Sequence, residues 1–387
     1  MGLYVFFVCV FFVCGARVLW AFLGSAVVEL LCVEIILACC WKKNFLSNLK
    51  ESNGFLFPFV APHPYLPFTY RPGTLIPMPS PREYDFMGYG CSFPKLKTNT
   101  RGHLNGAIGN REVQIPKPRE CFRISCLGDS VMANYVQQNG VNYNFSVEIE
   151  RQLHQKTMNR EIEVNNCAIG GYTTLDILVK FLIKDIHEEP DLIIISHGYS
   201  NLRSYLTGTY QSDNSHFRKG FWEGETRYQV ARYIPFKYLN IYRFVCSPFF
   251  PEGIKDFLKY ISIGVFDVDK KWQGIEYFEK NMKNLCSIAE KNNIKILICT
   301  CPHYLHQGIQ SSKAHAKFHE GMQLQNQVLR EIAKKTKSIL VDNESLVEGC
   351  AENFIDSIHL SPVGMQKSAG NVVDAILHNK LHTSSNV

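Results

Sequence analysis

Phe122-Arg123-Ile124-Ser125-Cys126-Leu127-Gly128-Asp129-Ser130 is the stretch on which the fold turns. Its first six residues form a short, largely apolar run that predicts a β-strand. Gly128-Asp129-Ser130 then ends the run in a turn. A serine on a strand-to-helix turn has an exposed hydroxyl, and its backbone N–H lies near the positive end of a helix dipole. That setting suits a nucleophile. The same tripeptide also makes an ordinary turn and helix cap, so its meaning depends on the rest of the chain.

Outward from this run the pattern is strand–helix alternation. Strands are predicted at Glu161–Cys167, Asp191–Ser196, Ile294–Cys299 and Ser338–Val341. Helices are predicted at Asn144–Gln155, Thr174–His187, Tyr277–Lys291, Met322–Lys335 and Pro362–His378, the last with proline near its start. Asp191–Ser196 is apolar and β-branched, as expected of a strand covered on both faces. Five strands alternating with helices imply an α/β domain with a parallel sheet and helices on both sides. Such sheets present ligands at the carboxyl ends of their strands. Between Leu202 and Lys271 the alternation gives way to an aromatic-rich insertion, including Tyr205, Tyr210, Phe217, Phe221 and Trp222. An insertion that long reads as a lid or binding wall.

Three further polar stretches follow the strands. Asn166-Cys167-Ala168-Ile169-Gly170-Gly171-Tyr172-Thr173-Thr174 carries paired glycines, which let a backbone N–H approach a ligand without a Cβ in the way. It also reads as a tight turn capped by Thr173 or Thr174. His197-Gly198-Tyr199-Ser200-Asn201 follows the third strand and offers a side-chain amide to the same cleft, or a polar turn. Asp356-Ser357-Ile358-His359 precedes the closing helix. A carboxylate three residues before a histidine can share its loop, orient the imidazole and stabilise its cation.

These four stretches, in this order, resemble the SGNH hydrolase superfamily, the GDSL-type esterases, from about Arg119 to His378. The resemblance implies a three-layer αβα sandwich with a five-stranded parallel sheet of the flavodoxin-like kind. It also implies that Ser130 is the nucleophile and an oxyanion donor, that Gly171 is a second donor, and that Asp356 and His359 complete a triad. The chain departs from the family at the third block, Gly-x-Asn-Asp. Ser200 stands where the family's oxyanion asparagine belongs, and Asn201 where it has aspartate. Either Asn201 shifts by one residue or the Ser200 hydroxyl replaces the amide. Loss of one oxyanion donor typically costs ~10²–10³ in rate.

The expected activity is hydrolysis of carboxylic esters of lipids or glycans through an acyl-serine. An O-acyltransferase with the same triad and a catalytically weak or inactive binding protein of the same fold are the competing readings. No cofactor and no metal are expected. His303-x-x-His306 with Cys299 and Cys301 is more simply strand cysteines and a polar loop than a zinc site. The formal charge of +6, from 41 basic and 35 acidic residues, argues against a nucleic-acid partner.

The 387 residues divide into three expected parts: a transmembrane or signal-anchor segment (1–43), a proline-rich neck (44–118) and the hydrolase-like domain (119–387, with the insertion at 202–271). Val18–Trp41 is apolar enough to span a bilayer, though Glu29 and Glu34 are costly there. A cleaved signal peptide competes for Leu3–Cys14. Positive charges at Lys42, Lys43 and Lys50 put the domain on the cytosolic side by the charge rule. The resemblance favours the opposite side, since His63–Leu66 resembles the neck of membrane-anchored bacterial members. Asn144-Phe145-Ser146 and Asn343-Glu344-Ser345 match the glycosylation pattern, a weak argument for a lumenal domain. The neck holds most of the chain's prolines, interleaved with aromatics such as Phe68 and Tyr70. It reads as an extended segment lying along the domain. The cysteines lack framework spacing and read as buried small hydrophobes.

Overall fold

The computed structural model describes residues 60–61, 63–76, 96–104, 111–133, 135–157, 162–206, 210–217, 269–305 and 313–382. The expected membrane segment at 1–43 and most of the insertion at 202–271 lie outside them. Among the described residues no helix is long and apolar enough to cross a membrane.

Five strands form one parallel sheet: β1 (Phe122–Gly128), β2 (Ile162–Asn166), β3 (Leu192–Ser196), β4 (Lys295–Cys299) and β5 (Ile339–Val341). Their order across the sheet is β5-β4-β3-β1-β2. β1 is central, paired with β2 through Ile124↔Val164 and with β3 through Ile124↔Leu192. The chain reverses its winding direction after β2, so the crevice beyond the carboxyl ends of β1 and β3 is the place for a ligand.

The helices are α1 (Ser130–Ala133), α2 (Phe145–Lys156), α3 (Thr174–Ile183), α4 (Ser200–Leu206), α5 (Ile275–Lys291), α6 (Lys313–Lys335), α7 (Asn343–Leu346) and α8 (Pro362–His378). Strand residues alternate between two cores. Ile193 and Ile195 pack with Phe181 of α3, Phe278 and Met282 of α5 and Met322 of α6. Leu192 and Ile194 pack with Ile149 of α2 and Val372 and Ile376 of α8. Each such side chain contributes roughly 1.5–3 kcal/mol on burial, so both faces of the sheet must be covered, and three layers result. The charge within β1, Arg123, is fully buried; its Nε donates to Glu163 at 2.8 Å and its Nη2 to the Gln114 carbonyl at 2.9 Å.

Two helices differ from their expected bounds by more than two residues. α6 begins at Lys313 rather than Met322; its early turns carry little apolar pattern beyond the buried Phe318, which hid them in the sequence. α3 ends at Ile183, and a 3₁₀ turn at Asp185–Glu188 follows, turning the Glu188 carboxylate inward. α8 runs as expected, with the Ser361 hydroxyl accepting from Gly364 N–H at 3.2 Å and Pro362 at its first position.

The glycosylation argument fails on burial. Asn144 is fully buried, caps α2 through its Oδ1, and donates from Nδ2 to the Met132 carbonyl at 3.1 Å. Asn343 is also buried, its Nδ2 donating to Ser368 Oγ at 2.7 Å. Neither nitrogen is available to a modifying enzyme in the folded domain. All seven cysteines among the described residues are free thiols, and all but Cys350 are buried.

The described part of the neck lies on the domain. Thr69–Tyr70 pairs antiparallel with Val60–Ala61, and Leu75–Ile76 with Leu96–Lys97. Leu66 joins the core that holds α3 and α5. Phe68 meets Tyr172 edge-on at 5.6 Å, and the Tyr172 hydroxyl donates to the Phe68 carbonyl. Further along, His103 Nε2 lies 2.8 Å from Glu188 Oε1, and Arg101 Nε 3.1 Å from the same oxygen.

Candidate active site

Ser130 begins α1 where β1 ends. The approach to it permits only glycine at 128: a Cβ there would lie 2.2 Å from the Ser196 carbonyl oxygen. The first N–H groups of a helix have no intrahelical acceptor, so the Ser130 N–H is left to partners outside the helix.

The structure brings Ser130, Asp356 and His359 together. His359 Nε2 is 3.0 Å from Ser130 Oγ, and His359 Nδ1 is 2.6 Å from Asp356 Oδ2. A carboxylate only accepts, so Nδ1 carries the proton and Nε2 accepts from the serine hydroxyl. Asp356 is itself held by its loop: Oδ1 accepts from the backbone N–H of Ile358 at 2.8 Å and of His359 at 2.7 Å. The loop is closed by Ile355 N–H to the His359 carbonyl and docked by Tyr304 N–H to the Ser357 carbonyl, each at 2.8 Å. Burial alone would lower the His359 pKa, but the Asp356 charge and hydrogen bond outweigh it and raise it. Burial likewise pushes Asp356 up, and the His359 charge with its hydrogen bonds holds it below the ordinary carboxylate range. The Asp356 side chain remains 42% exposed, so solvent partly screens the pair.

The expected oxyanion donors are placed differently. Ser200 Oγ donates to Asp129 Oδ2 at 2.9 Å. Asn201 Oδ1 accepts from Thr174 N–H at 2.8 Å, and its Nδ2 donates to Thr174 Oγ1 at 3.1 Å and Tyr205 Oη at 2.7 Å. Both residues are buried. The amide of Asn201 is thus committed to fixing the start of α3 against α4, because Thr174 and Tyr205 offer a complete set of partners inside the domain. At the second stretch, Gly171 takes φ +85°, a left-handed conformation that favours glycine. The preceding residue also lies near the serine: a Cβ on Gly170 would be 3.7 Å from Ser130 Cβ. Gly170 N–H points at the Tyr70 hydroxyl of the neck, 3.4 Å away.

A family model for the GDSL-like lipase/acylhydrolase family matches residues 126–367, from the middle of β1 to the body of α8. The chain belongs to the GDSL-like lipase/acylhydrolase family. It is an ester-hydrolysing enzyme. Among solved structures it is similar to a lipase/acylhydrolase from Enterococcus faecalis, at 16% identity and a TM-score of 0.41, covering 67% of this chain and 96% of that one. It is similar to an acetylxylan esterase from Geobacillus stearothermophilus, at 17% identity and a TM-score of 0.39, covering 66% and 94%. A putative acylhydrolase from Bacteroides fragilis shares 17% identity with a TM-score of 0.40, covering 70% and 92%. No curated protein matches the chain.

In this GDSL-like acylhydrolase the motif aspartate has a structural part that the sequence reading passed over. Asp129 is fully buried, and its carboxylate accepts from Val131 N–H and Gly198 N–H at 3.1 Å and from Ser200 N–H at 3.3 Å, besides the Ser200 hydroxyl. It ties the serine turn to the turn after β3. Gly198 is required there, since a Cβ would strike Val131 Cγ2 at 2.5 Å. An acid buried in the middle of a strand-end turn was the available signal.

Among the described residues one set of side chains has metal-ligand spacing: His103, Cys167 and Glu188, with ligand atoms within 4.8 Å of one another. Its charge is already balanced. Arg101 pairs with Glu188, and Lys180 Nζ, 2.9 Å from the Cys167 carbonyl, pairs with Asp185. Burial raises the Cys167 thiol well above its usual range, which disfavours the thiolate a metal would need. These residues form an ion cluster that fastens the neck. Cys299 and Cys301 are buried with their thiols raised by burial, and His303 Nδ1 donates to the Cys301 carbonyl at 3.3 Å. His306 lies outside the described residues.

Proposed function

We propose that this enzyme cleaves carboxylic esters by two-step acyl transfer on Ser130, with acyl or acetyl esters of lipids or glycans as substrates. The observation that carries the reading is the continuous line of hydrogen bonds from Ser130 Oγ through His359 to Asp356, at 3.0 and 2.6 Å. Ser130 Oγ forms a bond to the ester carbonyl carbon while its proton passes to His359 Nε2. The carbonyl electrons move to oxygen, which the backbone N–H groups of Ser130 and Gly171 receive. The C–O bond to the alcohol then breaks, and the alcohol leaves with the proton from Nε2. Water attacks the acyl-serine, giving its proton to the same nitrogen, and the acid leaves as Ser130 regains it. Asp356 holds the ring and stabilises its cation throughout.

Labelling by a fluorophosphonate probe tests this, because phosphonylation needs the same activated serine. Folded protein should label, and Ser130→Ala should not. Labelling that persists in Ser130→Ala, or no labelling of folded wild type, overturns the reading. Release of acid from p-nitrophenyl acetate, longer p-nitrophenyl esters and acetylated glycans then ranks the substrates. An apolar preference that grows with chain length points to lipid esters, and a preference for acetyl groups on sugars to glycans.

A further inference from the structure

We propose that the β-hairpin after the nucleophile helix is a strut that sets the separation of Ser130 and His359, with Val136 as its positioning residue. The inference rests on the acyl-serine reading above and adds to it a residue that acts through the triad loop rather than on the substrate.

The need for a strut follows from how the triad is divided. Asp356 and His359 share one loop, so their 2.6 Å contact is internal to it. That loop is folded on itself: Ile355 N–H donates to the His359 carbonyl at 2.8 Å, Ser361 N–H donates to the Asn353 carbonyl at 2.9 Å, and Phe354 bridges Leu360. None of these bonds reaches Ser130. The 3.0 Å between Ser130 Oγ and His359 Nε2 therefore depends on how the whole loop sits against the serine turn.

The means is the segment that carries the nucleophile. After α1 the chain forms an antiparallel hairpin, Tyr135–Gln138 paired with Val141–Asn144. Asn139 and Gly140 turn it at φ 51° and 77°, and two positive φ values in a two-residue turn fix the register of such a hairpin. Neighbouring strand residues face opposite ways. Tyr135 is buried with Leu104 and Val147, and its hydroxyl donates to the Leu104 carbonyl. Val136 and its cross-strand partner Tyr143 face the other way and join the apolar cluster of Phe354, Ile355 and Leu360 from the triad loop. Val136 is fully buried there.

The far end of the hairpin returns to the nucleophile helix, where Asn144 Nδ2 donates to the Met132 carbonyl at 3.1 Å. One short segment thus starts at Ser130, packs with the loop that bears His359, and closes back on the helix that bears Ser130. Ile358 of the same loop is packed in the core that holds α3 and α5, so two separate clusters hold the loop. Packed interiors relax only partly around a deleted group. Removing the two methyls of Val136 leaves room for the loop to move, and a misplacement of about 1 Å at a catalytic group can cost about 10²-fold in rate.

The test compares wild type, Val136→Ala, Val136→Thr and Ile149→Val in the full chain, with p-nitrophenyl acetate, a fluorophosphonate probe and thermal melts. We expect kcat of Val136→Ala, measured well below its Tm, to fall by about fivefold to 10²-fold with KM within about twofold, and phosphonylation to slow in parallel. Asp356 still holds His359 in this variant, so the acid limb of kcat/KM should keep its midpoint. Val136→Thr keeps the branched shape and should recover most of the rate. Ile149 lies in the core with α8, apart from the cluster of Val136, and Ile149→Val should keep the wild-type rate. If Val136→Ala does not fold, Tyr143→Ala, which thins the hairpin's other side chain in the same cluster, carries the same expectations. A fall below about fivefold, a rise in KM in place of the fall in kcat, a limb that moves to lower pH, a Val136→Thr as slow as Val136→Ala, or an equal loss in Ile149→Val overturns the proposal. If wild type neither labels nor turns over, the acyl-serine reading falls and this inference with it. If wild type is active and Val136→Ala matches it, only this inference falls.

Discussion

His359 Nε2 stands 3.0 Å from Ser130 Oγ, although 229 residues of chain separate the two. The contact exists because β1 and α8 lie in the same half of the sandwich. β1 delivers Ser130 at its carboxyl end, and the Ser361 cap of α8 fixes the loop that presents His359. Each partner is rigid for its own reason: Gly128 and the buried Asp129 lock the serine turn, and Asp356 locks the imidazole. Catalytic geometry here is a consequence of packing one strand end against the loop that leads into α8.

Ser130 and His359 act on one proton, so their removal should not add. Ser130→Ala and His359→Ala are each expected to lower kcat on p-nitrophenyl acetate by roughly 10⁴–10⁶-fold, and the double variant to be no slower than the worse single one. Steady-state rates on the four proteins check this. A double variant slower than either single by a further large factor means that the two residues work independently.

The rate should carry the titration of His359. Only the neutral imidazole takes the serine proton, and its pKa lies above the ordinary 6.5 because Asp356 outweighs burial. kcat/KM is therefore expected to rise with pH along a limb centred above 6.5. Asp356→Asn removes the charge that raises it, so the limb should move to lower pH while the plateau falls by roughly 10²–10⁴-fold. A pH–rate profile of both proteins reads the direction, and a limb that stays in place after Asp356→Asn counts against the pair.

The alternation of strands and helices was legible because each strand is short, apolar and ended by turn residues, and the family resemblance rested on Gly128, Ser130, Asp356 and His359 for the same local reason. What escaped was tertiary. Gly170 and Gly171 are adjacent and alike in sequence, and only the folded chain shows that Gly171 takes a positive φ and that Gly170 N–H points at Tyr70. The commitment of Asn201 depends on Thr174, 27 residues away, and on Tyr205. The approach of Tyr70 to Gly170 spans 100 residues, and nothing local to the neck announces it. The early turns of α6 were not legible because Phe318 supplies nearly all their apolar signal.

Acid should loosen the attachment of the neck. Glu188 is fully buried, and although burial raises its pKa, the hydrogen bonds from His103 and Arg101 and the charge of Lys180 hold it well below the usual 4.5. His103 is desolvated and its own pKa is lowered, so it meets Glu188 chiefly as a neutral N–H donor at neutral pH. A depressed folded-state pKa gives stability that is present above the unfolded value and lost as pH falls below it. Both shifts are downward, so wild-type thermal stability is expected to drop as pH falls below about 6.5, where unfolded His103 takes up a proton, and further below about 4.5, and Glu188→Gln should be less stable at neutral pH with a shallower acid limb. Thermal midpoints from pH 7 to 3 measure both effects.

Asn201 separates a structural amide from a catalytic one. Its amide satisfies Thr174 N–H, Thr174 Oγ1 and Tyr205 Oη in a buried setting. Asn201→Ala leaves those groups without their partner, so unfolding free energy should fall by about 1–3 kcal/mol. If the amide served the oxyanion, the same substitution would lower kcat by ~10²–10³. Because it faces Thr174 and Tyr205, kcat of the folded variant at a temperature well below its Tm should fall by less than about tenfold. Denaturant unfolding and initial rates on one preparation distinguish the two, since a loss of rate without loss of stability would return Asn201 to the oxyanion hole.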